Sequence, residues 1–260
     1  MTEHEPPLLR VDRLTKWYGR TPACTEVTFE LWPGEVLAVV GESGSGKTTL
    51  LRCIAGDVEA DQGRVLYRTR HEGEVDLLRL SAPRLRLLMR TDVGFVHQNP
   101  RDGLRLQISA GANIGERLMA VGARHYGRIR GTALDWMARV ELEAERIDDR
   151  PRTFSGGMQQ RLQIARNLVN QPRLLLMDEP TGGLDVSVQA RLLDLLRTLA
   201  AELGLAVVIV THDLGVARLL SDRMLVMQRS RVVETGLTDQ VLDDPQHPYS
   251  QLLVASILPT

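Results

Sequence analysis

Apolar residues recur in this sequence with two spacings that alternate along the chain. Short apolar runs bounded by turn residues predict strands, whereas apolar positions three and four residues apart predict helices. The predicted strands are 27–31, 36–40, 63–67, 93–97, 173–177 and 205–210, with a hairpin over 224–235. The predicted helices are 49–55, 83–91, 109–121, 128–143, 157–169, 186–203 and 214–220, followed by two helical pieces after residue 238. This alternation indicates an α/β fold whose mainly parallel sheet is covered on both faces.

One segment departs from this alternation of strands and helices. Residues 101–156 show helical periodicity and no long apolar run, and the charged residues 68–82 are predicted to be a surface excursion. We therefore predict a single domain over 1–260. In it, 1–100 and 157–260 form the core and 101–156 forms a helical subdomain.

Composition limits the function without naming it. The 260 residues carry a formal net charge of −1, which predicts neither nucleic-acid binding nor a basic membrane face. Cys24 and Cys53 share no metal or redox spacing and are predicted to be buried thiols. The longest apolar run, 205–210, is far too short to span a bilayer, and residues 1–7 do not resemble a secretory signal. We expect a cytoplasmic protein without direct membrane insertion.

The strongest motif is a phosphate-binding loop, Gly-Glu-Ser-Gly-Ser-Gly-Lys-Thr, at residues 41–48. It lies between a predicted strand and a predicted helix, which is the setting that this motif requires. Glycines let backbone N–H groups turn toward a phosphate, Lys47 adds a charge, and the Thr48 hydroxyl can bind Mg²⁺. A glycine-rich turn with a chance lysine is the alternative, but the context favours a nucleoside triphosphate. The residues assigned to it are Gly41, Glu42, Ser43, Gly44, Ser45, Gly46, Lys47, Thr48 and Thr49.

Two adjacent carboxylates follow the apolar run 173–177. Asp178 and Glu179 stand at the carboxyl end of that predicted strand, the edge at which open α/β sheets bind ligands. Asp178 is placed to hold Mg²⁺ through water, and Glu179 could polarise an attacking water. An acidic turn is the alternative, and the phosphate loop upstream favours the functional interpretation.

Two more polar residues follow predicted strands. His212 comes directly after 205–210, where it can contact a γ-phosphate and sense its loss. Its place on the same predicted edge as Asp178 favours function over a structural role. Gln98 follows 93–97 and could bind Mg²⁺ or orient water, although a glutamine there is more often a turn residue.

A second anion-binding helix start is predicted at Ser155-Gly156-Gly157. Its free amides and helix dipole suit an anion, while the simpler interpretation makes Ser155 only an N-cap. Two such helix starts in one chain suggest a composite site, in which a second copy supplies this segment.

Taken in order, these motifs resemble those of the ATP-binding cassette (ABC) ATPases over nearly the whole chain. The motifs are Gly41–Thr48, Gln98, Ser155-Gly156-Gly157, Asp178-Glu179, Gly183-Leu184-Asp185 and His212. The resemblance implies a P-loop NTPase core with a small antiparallel β subdomain and a helical subdomain. It also implies a head-to-tail dimer that encloses two ATP molecules with Mg²⁺.

The same resemblance implies a role for each motif residue. By position it implies that Lys47 binds the β- and γ-phosphates and that Thr48, Gln98 and Asp178 bind Mg²⁺. It implies that Glu179 is the general base and that His212 is the switch. It also implies that residues Ser155–Gly157 bind the partner's γ-phosphate and that Asp185 links the two sites. An aromatic residue that stacks on adenine matches either Tyr18 or Trp17, and packing is an equal alternative for each. Gly182-Gly183 departs from the usual Ser-Ala and is expected to soften coupling between the sites.

Within the family, residues 97–127 and 152–194 resemble the ATP-binding subunits of bacterial carbon–phosphorus lyase systems. That resemblance implies docking on lyase core subunits, where ATP drives a conformational change during phosphonate breakdown. The alternative is the ATPase of a membrane importer of the peptide class, which resembles the chain also at 244–249. A nucleic-acid-linked cassette is a third class, and the net charge of −1 argues against it.

Overall fold

Two β-sheets organise the computed structural model, which describes residues 6–256. The strands are β1 Leu9–Tyr18, β2 Thr21–Leu31, β3 Val36–Val40, β4 Gln62–Thr69, β5 Gly73–Asp76, β6 Val93–Val96, β7 Leu174–Asp178, β8 Ala206–Thr211, β9 Arg223–Gln228 and β10 Arg231–Leu237. The prediction about the N-terminal 1–7 segment falls mostly on residues 1–5, which lie outside the described residues.

The larger sheet is the predicted parallel one. Its order is β10-β9-β3-β8-β7-β6, and only the edge strand β10 runs antiparallel to its neighbour. The smaller sheet has the order β2-β1-β4-β5, and each of its pairs is antiparallel. The fold class expected from the motifs is thereby confirmed: a mainly parallel core with a small antiparallel sheet and helical elements.

Ten α-helices are described in residues 6–256. They are α1 Lys47–Ala55, α2 Ala82–Thr91, α3 Pro100–Gly103, α4 Ala110–Ala120, α5 Tyr126–Arg139, α6 Gly156–Leu168, α7 Val186–Leu203, α8 Leu214–Leu220, α9 Thr238–Asp243 and α10 Pro248–Ala255. Helix α4 packs on α5 and α6, where the Arg166 guanidinium lies 2.8 Å from the Glu116 carboxylate. The segment between β6 and α6 is helical, with short 3₁₀ turns and no strand.

The larger sheet separates two apolar clusters. Along β3, Leu37 and Val39 belong to the cluster that includes α1 and the smaller sheet, whereas Ala38 and Val40 belong to the cluster that includes α5 to α8. Both faces of the central strands are therefore buried, which explains why their sequences are continuously apolar instead of alternating. Cys24 and Cys53 are buried free thiols, as predicted.

Two sequence-based predictions of local structure are corrected. Residues 73–76, predicted as part of an irregular excursion, form strand β5 on β4; their charged side chains carry no apolar pattern, and the pairing comes from the β4 edge. The helix predicted over 128–143 instead spans Tyr126–Arg139. It begins where His125 Nδ1 accepts a hydrogen bond from the Arg128 amide at 3.2 Å. It has ended before Glu141, whose φ of 55° is left-handed.

Candidate active site

The carboxyl ends of four parallel strands bring the predicted chemical residues to one edge of the larger sheet. Strand β3 leads into the loop 41–48, β6 leads to Gln98, β7 ends at Asp178 with Glu179 next, and β8 leads to His212. Parallel strands with right-handed crossovers place all these segments at the same edge, where α/β sheets bind ligands.

The loop 41–48 has a backbone that two of its glycines make possible. Gly41 has φ 147° and Gly46 has φ 102°, and a Cβ on either would collide with a backbone carbonyl, of Met227 and Ala23 respectively. The Ser45 carbonyl accepts a hydrogen bond from the Ser230 amide at 3.1 Å, which ties the loop to the β9–β10 turn. The loop therefore presents its amides at the start of α1, the geometry of an anion site.

Lys47 is folded back onto the loop that carries it. Its Nζ donates to the carbonyls of Gly41 at 2.7 Å and Glu42 at 2.8 Å, and the residue is only 5% exposed. Burial lowers the pKa of this ammonium, although the carboxylates of Glu179, Asp178 and Glu42 oppose that shift. Phosphate oxygens could replace the two carbonyls as acceptors and would satisfy the charge better.

Thr48 and Asp178 meet although 130 residues separate them. The Thr48 hydroxyl donates to Asp178 Oδ1 at 2.9 Å, and Asp178 is 4% exposed. Burial raises the pKa of the Asp178 carboxyl, the nearby Glu179 charge raises it further, and the hydrogen bond from Thr48 partly offsets both. Two hard oxygen donors beside a phosphate loop fit Mg²⁺, which takes few protein ligands when phosphates supply the others.

Glu179 is held at both carboxylate oxygens. Gln98 Nε2 donates to Oε2 at 2.9 Å, and His212 Nδ1 lies 3.0 Å from Oε1. Its φ of 42° turns the chain sharply after β7, so that Glu179 and the preceding aspartate have different partners. An ionised Glu179 accepts only, and we therefore assign a proton to His212 Nδ1.

The segment 155–157 lies at the start of α6 and serves as its cap. Ser155 Oγ accepts a hydrogen bond from the Met158 amide at 3.3 Å. Gly157 packs so closely on α7 that a Cβ would stand 2.6 Å from a Val188 methyl. Between residues 6 and 256, no hydrogen bond joins 155–157 to the loop 41–48. The two predicted anion sites are therefore not joined within one chain.

Three other predicted positions, Asp185, Trp17 and Tyr18, lie at the surface. Asp185 is the N-cap residue of α7, and its side chain makes no capping hydrogen bond. Trp17 is 41% and Tyr18 53% exposed at the end of β1. The Lys16 ammonium lies 5.7 Å from the Tyr18 ring centre, while the Trp17 amide donates to Asp61 Oδ2 at 2.6 Å. Both aromatic rings remain candidates for stacking on a base.

One contact to the loop is absent from the sequence-based predictions. The Tyr249 hydroxyl lies 3.0 Å from the Glu42 amide, which donates to it. The sequence placed Tyr249 only in a helical tail, and a hydrogen bond across 207 positions leaves no local pattern that could have revealed it.

Curated relatives match this chain over most of its length. The ABC transporter family profile matches residues 24–182. An Escherichia coli K12 protein named as the phosphonates utilization ATP-binding protein PhnK is 65% identical over 252 residues, covering 97% of this chain and 98% of that protein. The oligopeptide transport ATP-binding protein OppF of Salmonella typhimurium is 37% identical over 247 residues, covering 93% of this chain and 72% of OppF.

Solved structures agree with the sequence relatives. A dimeric post-hydrolysis state of the ATP-binding cassette MJ0796, bound to ADP and Pi, has a TM-score of 0.78 at 30% identity and covers 88% of this chain and 98% of that one. In residues 6–256, no helix has both the length and the apolar character to cross a bilayer. Because the family profile covers more than half of the chain and a relative of matching extent is 65% identical, this chain belongs to the ATP-binding cassette family and is an ATPase.

Proposed function

We propose that this ATPase acts in the cytoplasm on a carbon–phosphorus lyase complex, where ATP binding and hydrolysis drive a conformational change during phosphonate breakdown. The observation that carries the proposal is the 65% identity to the phosphonates utilization protein over nearly the full length of both chains. The peptide-import relatives OppF of Salmonella typhimurium and DppF of Escherichia coli reach only 37% and 40%. We assign the cleavage chemistry itself to other subunits of the proposed complex.

In the proposed site, the loop amides and Lys47 hold the phosphates of ATP. Lys47 would exchange its loop carbonyls for the β- and γ-phosphate oxygens. Thr48, Asp178 and Gln98 would hold Mg²⁺, which supplies positive charge against the developing charge on the phosphates.

Glu179 is the proposed general base for the attacking water. It stands at the sheet edge beside the loop, and its carboxylate already accepts hydrogen bonds that a water could replace. We assign His212 to contact with the γ-phosphate, because its side chain is 64% exposed at this edge. Loss of that phosphate after hydrolysis would then return His212 to Glu179.

A second copy of the chain is proposed to complete each site. Ser155 and Gly156 are exposed at the start of α6, Gly157 next to them is buried, and none of the three makes a hydrogen bond to the loop of its own chain. The amides there and the helix dipole suit the γ-phosphate bound by a partner. Asp185, with no capping role of its own, would link the two sites across the interface.

The lyase assignment is tested by recovering the protein with its partners. An affinity-tagged chain is purified from cells grown with an alkylphosphonate as the sole phosphorus source, and co-purifying proteins are identified by mass spectrometry. We expect soluble lyase subunits, in larger amounts when Glu179→Gln holds the ATP-bound state. Recovery of an integral membrane permease without lyase subunits would contradict the proposal.

The second candidate is the ATPase of a peptide-class importer, favoured by the 37% identity to OppF. It predicts that vesicles containing the permease take up solute with wild-type protein and not with Glu179→Gln. If this candidate is right, that substitution would leave lyase activity in cells unchanged, and this result distinguishes the two candidates.

A further inference from the structure

The C-terminal helix α10 touches the phosphate loop through a single hydroxyl. Tyr249, in the first turn of α10, accepts a hydrogen bond at 3.0 Å from the amide of Glu42. Its ring is 8% exposed and belongs to the apolar cluster beneath the larger sheet. The buried ring therefore fixes the position of Tyr249, and its hydroxyl is available to hydrogen-bond to the loop.

The turn before α10 orients Tyr249. On strand β10, the two carboxylate oxygens of Glu234 accept from the amides of Gln246 at 2.8 Å and His247 at 3.0 Å. His247 Nδ1 then accepts from the Tyr249 amide at 3.1 Å and caps the helix. With Pro248 at the first helical position, the start of α10 has little freedom.

The hydrogen bond acts on the peptide unit at which the loop begins. The Glu42 amide is held by Tyr249, while the Gly41 carbonyl of the same peptide unit accepts from Lys47 Nζ at 2.7 Å. When Lys47 turns to a phosphate, one restraint on the carbonyl is lost. The restraint on the amide by Tyr249 does not depend on Lys47 and can persist.

We infer that Tyr249 is a positioning residue for nucleotide binding: its hydroxyl fixes the peptide between Gly41 and Glu42 so that the amides that follow face the triphosphate. A loop that is already oriented loses less conformational entropy when ATP binds. The inference rests on the proposed placement of ATP at this loop. It extends the site to a residue on the last helix of the described chain.

Tyr249→Phe tests the inference because it keeps the ring and removes the hydroxyl. Loss of one hydrogen bond should weaken ATP binding and raise KM about threefold to tenfold, with kcat at saturating ATP unchanged. In the nucleotide-free protein, hydrogen–deuterium exchange should rise in the peptide covering 41–46. The melting temperature should stay within about 2 °C of wild type, since the packing is preserved.

Two other variants complete the experiment. Tyr126→Phe, at a tyrosine that is 73% exposed on α5, should change none of these quantities. Glu234→Gln leaves one acceptor where two amides donate, and should shift exchange and KM in the same direction as Tyr249→Phe.

Wild-type KM and wild-type exchange in Tyr249→Phe would overturn the inference. So would a loss of affinity with a matching fall in melting temperature, which indicates packing alone. Lys47→Ala in the same binding assay separates the role of Tyr249 from the placement of ATP at the loop. If Lys47→Ala abolishes ATP binding and Tyr249→Phe leaves KM and exchange unchanged, only the positioning role of Tyr249 is contradicted. If neither substitution changes ATP binding, the placement of ATP at the loop is contradicted as well.

Discussion

Gln98 Nε2 donates a hydrogen bond to Glu179 Oε2 at 2.9 Å, so a proposed metal ligand holds the proposed general base. The two residues follow the neighbouring parallel strands β6 and β7, which brings them together across 81 positions. The Gln98 amide oxygen takes no part in this contact and is the atom that would face Mg²⁺.

We expect Gln98→Ala to separate nucleotide binding from turnover. Binding of ATP without Mg²⁺ should be unchanged, because the side chain does not touch the loop. Mg²⁺-dependent kcat should fall about 100-fold, at the low end of the range for one positioned polar group. Steady-state kinetics over a Mg²⁺ titration measure this, with the exposed Gln107→Ala as the matched control. A wild-type Mg²⁺ profile in Gln98→Ala would contradict the assignment.

Glu179→Gln should leave ATP affinity intact and lower kcat by at least about 100-fold, because the amide cannot accept a proton from water. Equilibrium binding and single-turnover hydrolysis give the two quantities. The exposed Glu145→Gln should hydrolyse ATP at the wild-type rate. Were Glu179→Gln to turn over normally, the base would have to be another group.

Lys47→Ala should remove most ATP affinity, raising Kd about 100-fold, since a buried charge and its hydrogen bonds to phosphate are lost together. Calorimetric titration with ATP provides the measurement. Arg197→Ala also removes a positive charge, but from an exposed ion pair with Asp194, and should bind normally. Equal affinity in the two variants would show that the loop is not the site.

Asp178→Asn should stabilise the nucleotide-free protein at neutral pH. Burial raises the pKa of Asp178 above its ordinary 3.8, so the folded state is penalised once pH exceeds that raised pKa and is not penalised below 3.8. Asparagine keeps an acceptor for Thr48 without the charge. We expect a gain of about 2–4 °C in melting temperature at pH 8, and this gain should shrink as the pH falls through the raised pKa toward 3.8.

Urea denaturation of both proteins across that pH range tests the sign, and Asp194→Asn, at an exposed carboxylate, is the control. A gain that grows as pH falls would contradict the buried charge as its cause. Loss of Mg²⁺-dependent turnover in Asp178→Asn is expected in addition.

Two inactive variants should restore activity when mixed, if a second chain completes each site. Lys47→Ala inactivates the phosphate loop, and Ser155→Arg blocks the N-terminus of helix α6. A mixed dimer therefore contains one site with both halves intact. We expect about a quarter of wild-type activity at equal concentrations, since about half of randomly paired dimers are mixed and each has one working site. Each variant mixed with wild type is the control.

Failure of this mixture to hydrolyse ATP, with dimers shown to form, would favour a site made by one chain. Wild-type hydrolysis should also rise more steeply than linearly at low protein concentration, because the active species is a dimer. Strict linearity would indicate either a dimer that is already formed or a site made by one chain.

The sequence alone determined those features that depend on neighbouring residues. The loop 41–48 was evident because its glycines, lysine and threonine lie together, and the bounds of α7 and α8 matched because helical periodicity and caps are local signals. The continuously apolar run of β3 likewise indicated a strand buried on both faces.

Only the tertiary structure decided which distant groups meet. Strand β5 exists because the β4 edge pairs with it, and the contacts of Thr48 with Asp178 and of Tyr249 with Glu42 arise from the order of strands and the path of the last helix. Such hydrogen bonds join residues 130 and 207 positions apart. Nothing in the spacing near either partner records them, since their geometry depends on how the sheets and helices pack.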